Sequence, residues 1–401
     1  MFFSTVITGT RLDIIMELSP TQQLAQALVR IPSVTPDDMG CQDLIKDVLK
    51  PLGFTCLTLE DSGTTNLLAT HGHGSPFILF LGHTDVVPTG DKATWDHDPF
   101  CGDIYDYDNE PCLYGRGSAD MKGGDAAMIM ALRDYVKANP HHHGTLALLV
   151  TSNEEGDAAG GVPFVVDYMK AHRLIPEFCI VGEPSCDDYF GDQIKNGRRG
   201  DLNATIILKG IQGHVAQPEY CDNAAHKAAR FIAAMLDNPI DHGSEFFPPT
   251  SFQVSNMKCG TGADNVVPGT CQLRCNWRYN DMQSKESIEK HVEEILKRLK
   301  IEHEISWQVD GLPFLTKDGE LLNAMSNAIT KVLGKAPSLG TKGGTSDGRF
   351  IAPLGAQTIE FGPLSSSIHQ VNEHVSLKNL DELKQIFEKT IGTLIEENRK
   401  F

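Results

Sequence analysis

Two periods of apolar residues organise the chain. Short apolar runs at 54–59, 65–70, 77–82, 145–151 and 177–181 have strand length. Between and before them, at 20–30, 40–52, 123–138 and 161–172, apolar residues recur every three or four positions. A continuous apolar run bounded by turn residues reads as a strand buried on both faces, and the longer period reads as a helix. This alternation predicts an α/β layer with a largely parallel sheet flanked by helices. The same rhythm returns near 320–335 (helix), 356–361 (strand) and 379–397 (helix).

Between these parts the pattern changes. LNATIILK (202–209), SFQVSNMK (251–258), TCQLRCNWRY (270–279) and 304–309 read as strands, and 222–237 and 284–300 as helices. In the last helix Ile288, Val292, Ile295 and Leu299 form one apolar stripe. The order β-α-β-β-α-β is that of a ferredoxin-like α+β unit. Residues 200–311 are therefore expected to be an inserted domain, with 1–199 and 312–401 forming one discontinuous catalytic domain. Edge strands on so small a sheet make the insert a natural dimerisation element.

Composition narrows the choices. The 401 residues suit two domains, and 40% hydrophobic with 22% charged residues is globular. A net charge of −18 argues against nucleic acid or an anionic membrane as partner. Ten cysteines include no CxxC pair, and Cys271 and Cys275 fall on one face of one strand. The expectation is reduced thiols in the cytoplasm. Residues 1–15 lack a long apolar core and read as an extension before Met16, with no function assigned. The His141-His142-His143 run after Pro140 reads as a solvated loop.

The chemistry lies where the strands end. The 77–81 run closes in Gly82-His83-Thr84-Asp85, 146–150 leads to Glu154-Glu155, 178–181 closes in Gly182-Glu183, and 358–361 leads on to His369. Open α/β sheets hold their sites at the carboxyl ends of the strands. Asp120 stands in a glycine-rich loop just before the 123–138 helix. Two histidines, two glutamates and one aspartate, with no lysine beside them, call for a cation, and nitrogen with carboxylate ligands suits zinc, cobalt or manganese. Five ligands exceed what one open catalytic zinc takes and fit a two-metal site, with Asp120 the bridging candidate. Asp85, two residues after His83, points the same way in extended chain and is expected to fix the imidazole tautomer. Glu154 and Glu155 point to opposite sides, so one can ligate metal while the other moves a proton.

LGHTDVVP (81–88), GRGSADMKGG (115–124), TSNEEG (151–156) and VGEP (181–184) resemble the dinuclear zinc aminoacylase and peptidase family. GIQGHVAQP (210–218), FFPPTS (246–251), GGTSDGRF (343–350) and GPLSSSIHQVNE (362–373) narrow the likeness to members that cleave a succinyl amide, from about residue 20 onward. The resemblance implies that His83 and Glu183 hold one zinc, Glu155 and His369 the other, and that Asp120 bridges. It makes Glu154 the general base and acid, and has His214 reach across a homodimer to steady the tetrahedral oxyanion. A substrate with several carboxylates needs anchors, for which Arg198, Arg199, Asn265, Arg278, Gly344 and Thr345 are the candidates. Gln217 and Ser365 depart from the family pattern, where Tyr and Asn are frequent. The alternatives are an acetylornithine deacetylase, an aminoacylase or dipeptidase of the same family, a two-metal phosphatase, or a non-catalytic metal-dependent binding protein.

Overall fold

The structure, a computed structural model, describes residues 10–11, 17–107 and 109–398. The extension read at 1–15 lies outside the described residues except for Thr10–Arg11, which pairs with Ile104–Tyr107. The chain divides into two compact units. One comprises Met1–Gly197, Thr316–Gly340 and Ser346–Phe401, and the other Arg198–Leu315 with Thr341–Thr345.

In the first unit an eight-stranded sheet runs in the order Ser338–Gly340, Gln193–Lys195, Gln357–Glu360, Phe178–Val181, Phe77–His83, Gly144–Thr151, Thr64–His73, Thr55–Asp61. The four strands from Gln357–Glu360 to Gly144–Thr151 are mutually parallel, and they are the ones that lead to the candidate ligands. The Thr55–Asp61 and Thr64–His73 strands pair antiparallel, so the sheet is more mixed than the apolar pattern suggests.

Every residue of Phe77–His83 and Gly144–Thr151 is buried because both faces are covered. Ile78, Phe80, Leu146 and Leu148 pack with the helices Pro20–Val29, Gly123–Ala138, Glu320–Leu333 and Leu377–Glu397. Leu79, Leu81, Ala147 and Leu149 pack on the other side with Val162–Ala171. At about 1.5–3 kcal/mol for each fully buried aliphatic side chain, this double packing holds the strand ends in place. The helices begin where their caps direct: Ser19 and Gln22 form a capping box at the first, and Ser376 accepts from Asn379 N at the last.

The second unit has four antiparallel strands in the order Ser251–Cys259, Thr270–Tyr279, Gly200–Lys209, His303–Gly311. The helices Ala224–Asp237 and Lys285–Arg298 pack on one face through Phe231, Ile288, Val292 and Ile295, against Leu202, Ile206, Leu273 and Trp277. That is the ferredoxin-like arrangement. Thr341–Thr345, expected in the first domain, belongs with this unit, where Thr341 Oγ1 donates to Phe246 O at 2.6 Å.

The hairpin Ile104–Tyr107 and Glu110–Tyr114 was not signalled by periodicity. Its tyrosines pack in an aromatic group with Trp95 rather than alternating with polar residues against a common core. His142, in the expected solvated loop, is half-buried, and its Nε2 lies 2.8 Å from His71 Nδ1. No helix of the described residues is long and apolar enough to cross a membrane.

Candidate metal centre

Parallel register puts the candidate ligands level with one another. His83 pairs with Thr151, and Leu81 with both Leu149 and Val181, so His83, the Glu154-Glu155 turn and Glu183 leave the sheet at one edge. Asp120 enters from the loop before the Gly123–Ala138 helix, and His369 from the loop after Gln357–Glu360. His83 Nε2 is 3.3 Å from Asp120 Oδ1 and 3.7 Å from Glu183 Oε1. His369 Nε2 is 3.2 Å from Asp120 Oδ2 and 2.9 Å from Glu155 Oε1. The two oxygens of Asp120 thus face two different histidine–glutamate sets. Glu154 also comes within metal-sharing distance of His83 and Glu183.

Two devices hold these groups. The buried Glu373 carboxylate accepts from the main-chain N–H of Ala119 and Asp120, both at 3.0 Å, and pairs with Arg116 at 2.7 Å. Arg116 in turn donates to the carbonyls of Gln370 at 3.2 Å and His369 at 3.5 Å. One ion pair therefore ties the Asp120 loop to the His369 loop, where His369 adopts a left-handed backbone (φ 61°). The second device is Asp85, whose carboxylate accepts from Glu154 N at 3.2 Å and Glu155 N at 3.1 Å. The expected contact of that carboxylate with His83 is the longer one, 3.6 Å, whereas the main-chain carbonyl of Asp85 lies 2.9 Å from His83 Nδ1. The extended backbone places the carbonyl in reach first, which leaves the side chain to organise the glutamate turn.

These contacts decide whether a cation fits. With His83 Nδ1–H donated to a carbonyl, Nε2 presents its lone pair to two carboxylates. His83 Nε2 and Asp120 Oδ1 are both buried without a hydrogen-bond partner among the described residues. Burial opposes a charge on His83, but Asp120, Glu183, Asp85 and Glu154 outweigh it and hold the imidazole well above its ordinary range. Hydrogen bonds to Asp120 and Glu155 push His369 up to about 10. Burial, then the negative charge of Asp347, push Glu154 up to about 8. Burial and Asp120 raise Glu183 well above the carboxylate range. Buried acceptors facing one another in this way are what divalent cations satisfy, and the donor set of imidazole nitrogens and carboxylates suits them.

A family model described as "Peptidase family M20/M25/M40" matches residues 79–393. This chain belongs to that family. It is similar to the succinyl-diaminopimelate desuccinylase of Hydrogenovibrio crunogenus, 46% identical over 94% of this chain and 100% of the relative. The protein of the same name from Methylococcus capsulatus is 47% identical over 94% and 99%. Among solved structures, an M20 family metallo-carboxypeptidase from Sulfolobus solfataricus shares the fold at TM-score 0.75 and 18% identity, over 94% of this chain and 100% of that one. A Bacillus subtilis dinuclear metal binding peptidase of the M20 family does so at TM-score 0.70 and 14% identity, over 95% and 98%. As a family member with desuccinylase relatives, the protein is a metal-dependent amidohydrolase.

Within this M20 chain the remaining candidates all fall in the second unit. Arg198 Nη1 donates to Lys342 O at 2.8 Å, and Gly343 is a glycine of necessity, since a Cβ there would sit 2.4 Å from that nitrogen at φ +107°. Arg199 Nη2 lies 3.5 Å from Gly343 O, and its buried Nε has no hydrogen-bond partner among the described residues. Arg278 pairs with Asp201 at 2.9 Å. Gly344 is exposed and Thr345 half-buried on the same loop. His214 and Asn265 are exposed, and His214 pairs with Val266 across a two-stranded ladder. Sequence reasoning missed Arg116, Glu373 and Asp347, although all three lie inside the quoted motifs. A charged residue in a glycine-rich motif near ligand types was the available signal. Asp347 is buried, with Arg349 at 3.9 Å.

Proposed function

We propose that the protein hydrolyses N-succinyl-LL-2,6-diaminopimelate to succinate and LL-2,6-diaminopimelate, in diaminopimelate and lysine biosynthesis. It does so as a cytoplasmic homodimer with two Zn²⁺ per subunit, for which Co²⁺ or Mn²⁺ can substitute. The observation that carries this reading is the division of the Asp120 carboxylate between two histidine–glutamate sets, with Glu154 alongside. It occurs in a chain about half identical to proteins named for that activity.

His83 and Glu183 would hold one cation, His369 and Glu155 the other, and Asp120 both. Two divalent cations supply Lewis acidity that polarises the amide carbonyl and makes water a nucleophile near neutral pH. Glu154 takes the proton from the attacking water and passes it to the leaving amine nitrogen as the C–N bond breaks. A carboxyl pushed up to about 8 by burial suits both halves of that transfer. Asp85 fixes the direction of Glu154 through its main-chain N–H. His214 Nδ1 accepts from Ala216 N at 3.1 Å, which leaves Nε2–H as its outward donor. Contributed across the dimer interface, that donor would stabilise the developing oxyanion. Arg198, Arg199 and Arg278, with Asn265, Gly344 and Thr345, would take the substrate's carboxylates.

Metal analysis combined with rates on N-succinyl-LL-2,6-diaminopimelate, N-acetylornithine and dipeptides tests this. The succinyl substrate is expected to be preferred; no cleavage of it at saturating zinc removes the assignment.

A further inference from the structure

Two cysteines that are distant in any sequence motif meet across a strand pair in the second unit. Cys259 is the last residue of Ser251–Cys259 and registers directly opposite Cys271 of Thr270–Tyr279. Both lie on the helix-facing side of the sheet, with Cys271 fully buried in the apolar cluster and Cys259 packed against that cluster but half-buried. Directly opposed residues of antiparallel strands have Cα atoms about 4.5–5.5 Å apart, inside the roughly 4.4–6.8 Å span of disulfides. The two thiols interact with each other, and Cys259 Sγ is also 3.6 Å from Thr270 O.

We propose that Cys259 and Cys271 are an oxidation site at which a peroxide closes a cross-strand disulfide, tying the base of the 260–270 excursion. That excursion begins with two glycines at positive φ, Gly260 and Gly262, where an added Cβ would meet nothing within 4 Å. It carries Asn265, whose carbonyl accepts from Val215 N, and Val266, which pairs with His214. Oxidation therefore acts on the segment that holds His214 in place.

The two sulfurs have different parts. Burial and the neighbouring Cys259 push the Cys271 thiol up to about 12, and Cys259, half-buried where Cys271 is fully buried, is the thiol a peroxide reaches and so the nucleophile. The Cys259 thiolate attacks one peroxide oxygen, the O–O bond breaks, and hydroxide leaves and is protonated to water, giving a sulfenic acid. Cys271 sulfur then attacks the Cys259 sulfur, its proton goes to the departing oxygen, and a second water leaves. Two thiols lose two electrons in all, and the peroxide gains them.

The test uses the full chain treated with hydrogen peroxide, followed by thiol titration after denaturation and peptide mapping without reductant. Free thiols are expected to fall from ten to eight. One linked peptide pair should contain Cys259 and Cys271, and reductant should restore both. Cys259→Ser and Cys271→Ala, each tested alone, should abolish the linked pair. In the wild type, hydrogen exchange over 260–270 should slow on oxidation and recover on reduction, a change that the double variant lacks. Peroxide doses that oxidise the half-buried Cys56, Cys101 or Cys221 while Cys259 and Cys271 stay unlinked would overturn the proposal, as would Cys259 ending as a sulfinic acid with Cys271 free.

Discussion

Buried charge is handled in opposite ways in the two units. At the sheet edge of the first, His83 Nε2 and Asp120 Oδ1 are buried without hydrogen-bond partners among the described residues, and carboxylates crowd two histidines. In the second, Asp201 is shared by Arg278 at 2.9 Å and Asn276 at 2.6 Å, and Asn276 also donates to Asn203 at 2.9 Å. These charges are paired across the sheet, while Arg278 Nη1 and Arg199 Nε are buried donors that make no hydrogen bond among the described residues. A paired network is structure, whereas orphaned acceptors point to a cation and orphaned guanidinium donors to an anion.

Removing the cations gives the largest break. Chelation is expected to abolish turnover, with zinc or cobalt restoring it, and Asp120→Ala is expected to lower the bound metal measured by mass spectrometry below that of His369→Ala. Full activity without metal would end the reading of the orphaned acceptors. Glu154→Gln should keep both metals and lose about 10²–10⁴-fold in kcat, the range for a positioned acid–base group. Near-normal turnover would refute its role.

Glu373→Ala sharpens the contrast between paired and unpaired charge within the first unit. It strands Arg116 in the core, so thermal or urea unfolding should show a loss of about 3–5 kcal/mol. Metal affinity should weaken about 10–100-fold, as for other groups that orient ligands. Arg199→Lys has the smallest expected effect, a rise in KM of about tenfold with kcat nearly kept, because lysine lacks the guanidinium fork. An unchanged KM would remove Arg199 from the anion-binding group.

Most elements were legible because apolar period and caps are local. The helix expected at 123–138 forms as Gly123–Ala138, and the run at 145–151 as Gly144–Thr151. The ligand types at the strand ends were legible too, since a buried strand that stops in His or Glu has few structural reasons to do so. The Ile104–Tyr107 hairpin was not, because its residues pack as an aromatic group without a clean alternation.

What the sequence by itself determined is therefore the order of elements, the ferredoxin-like insert and which side chains reach one sheet edge. Tertiary structure alone decided how they meet. Parallel register brought His83 level with the Glu154 turn, and a single ion pair, Arg116 with Glu373, joined loops more than two hundred residues apart. Backbone geometry gave His83 the carbonyl of Asp85 rather than its carboxylate, and antiparallel register set Cys259 opposite Cys271. Each of these depends on contacts between segments far apart in the chain, which local pattern does not encode.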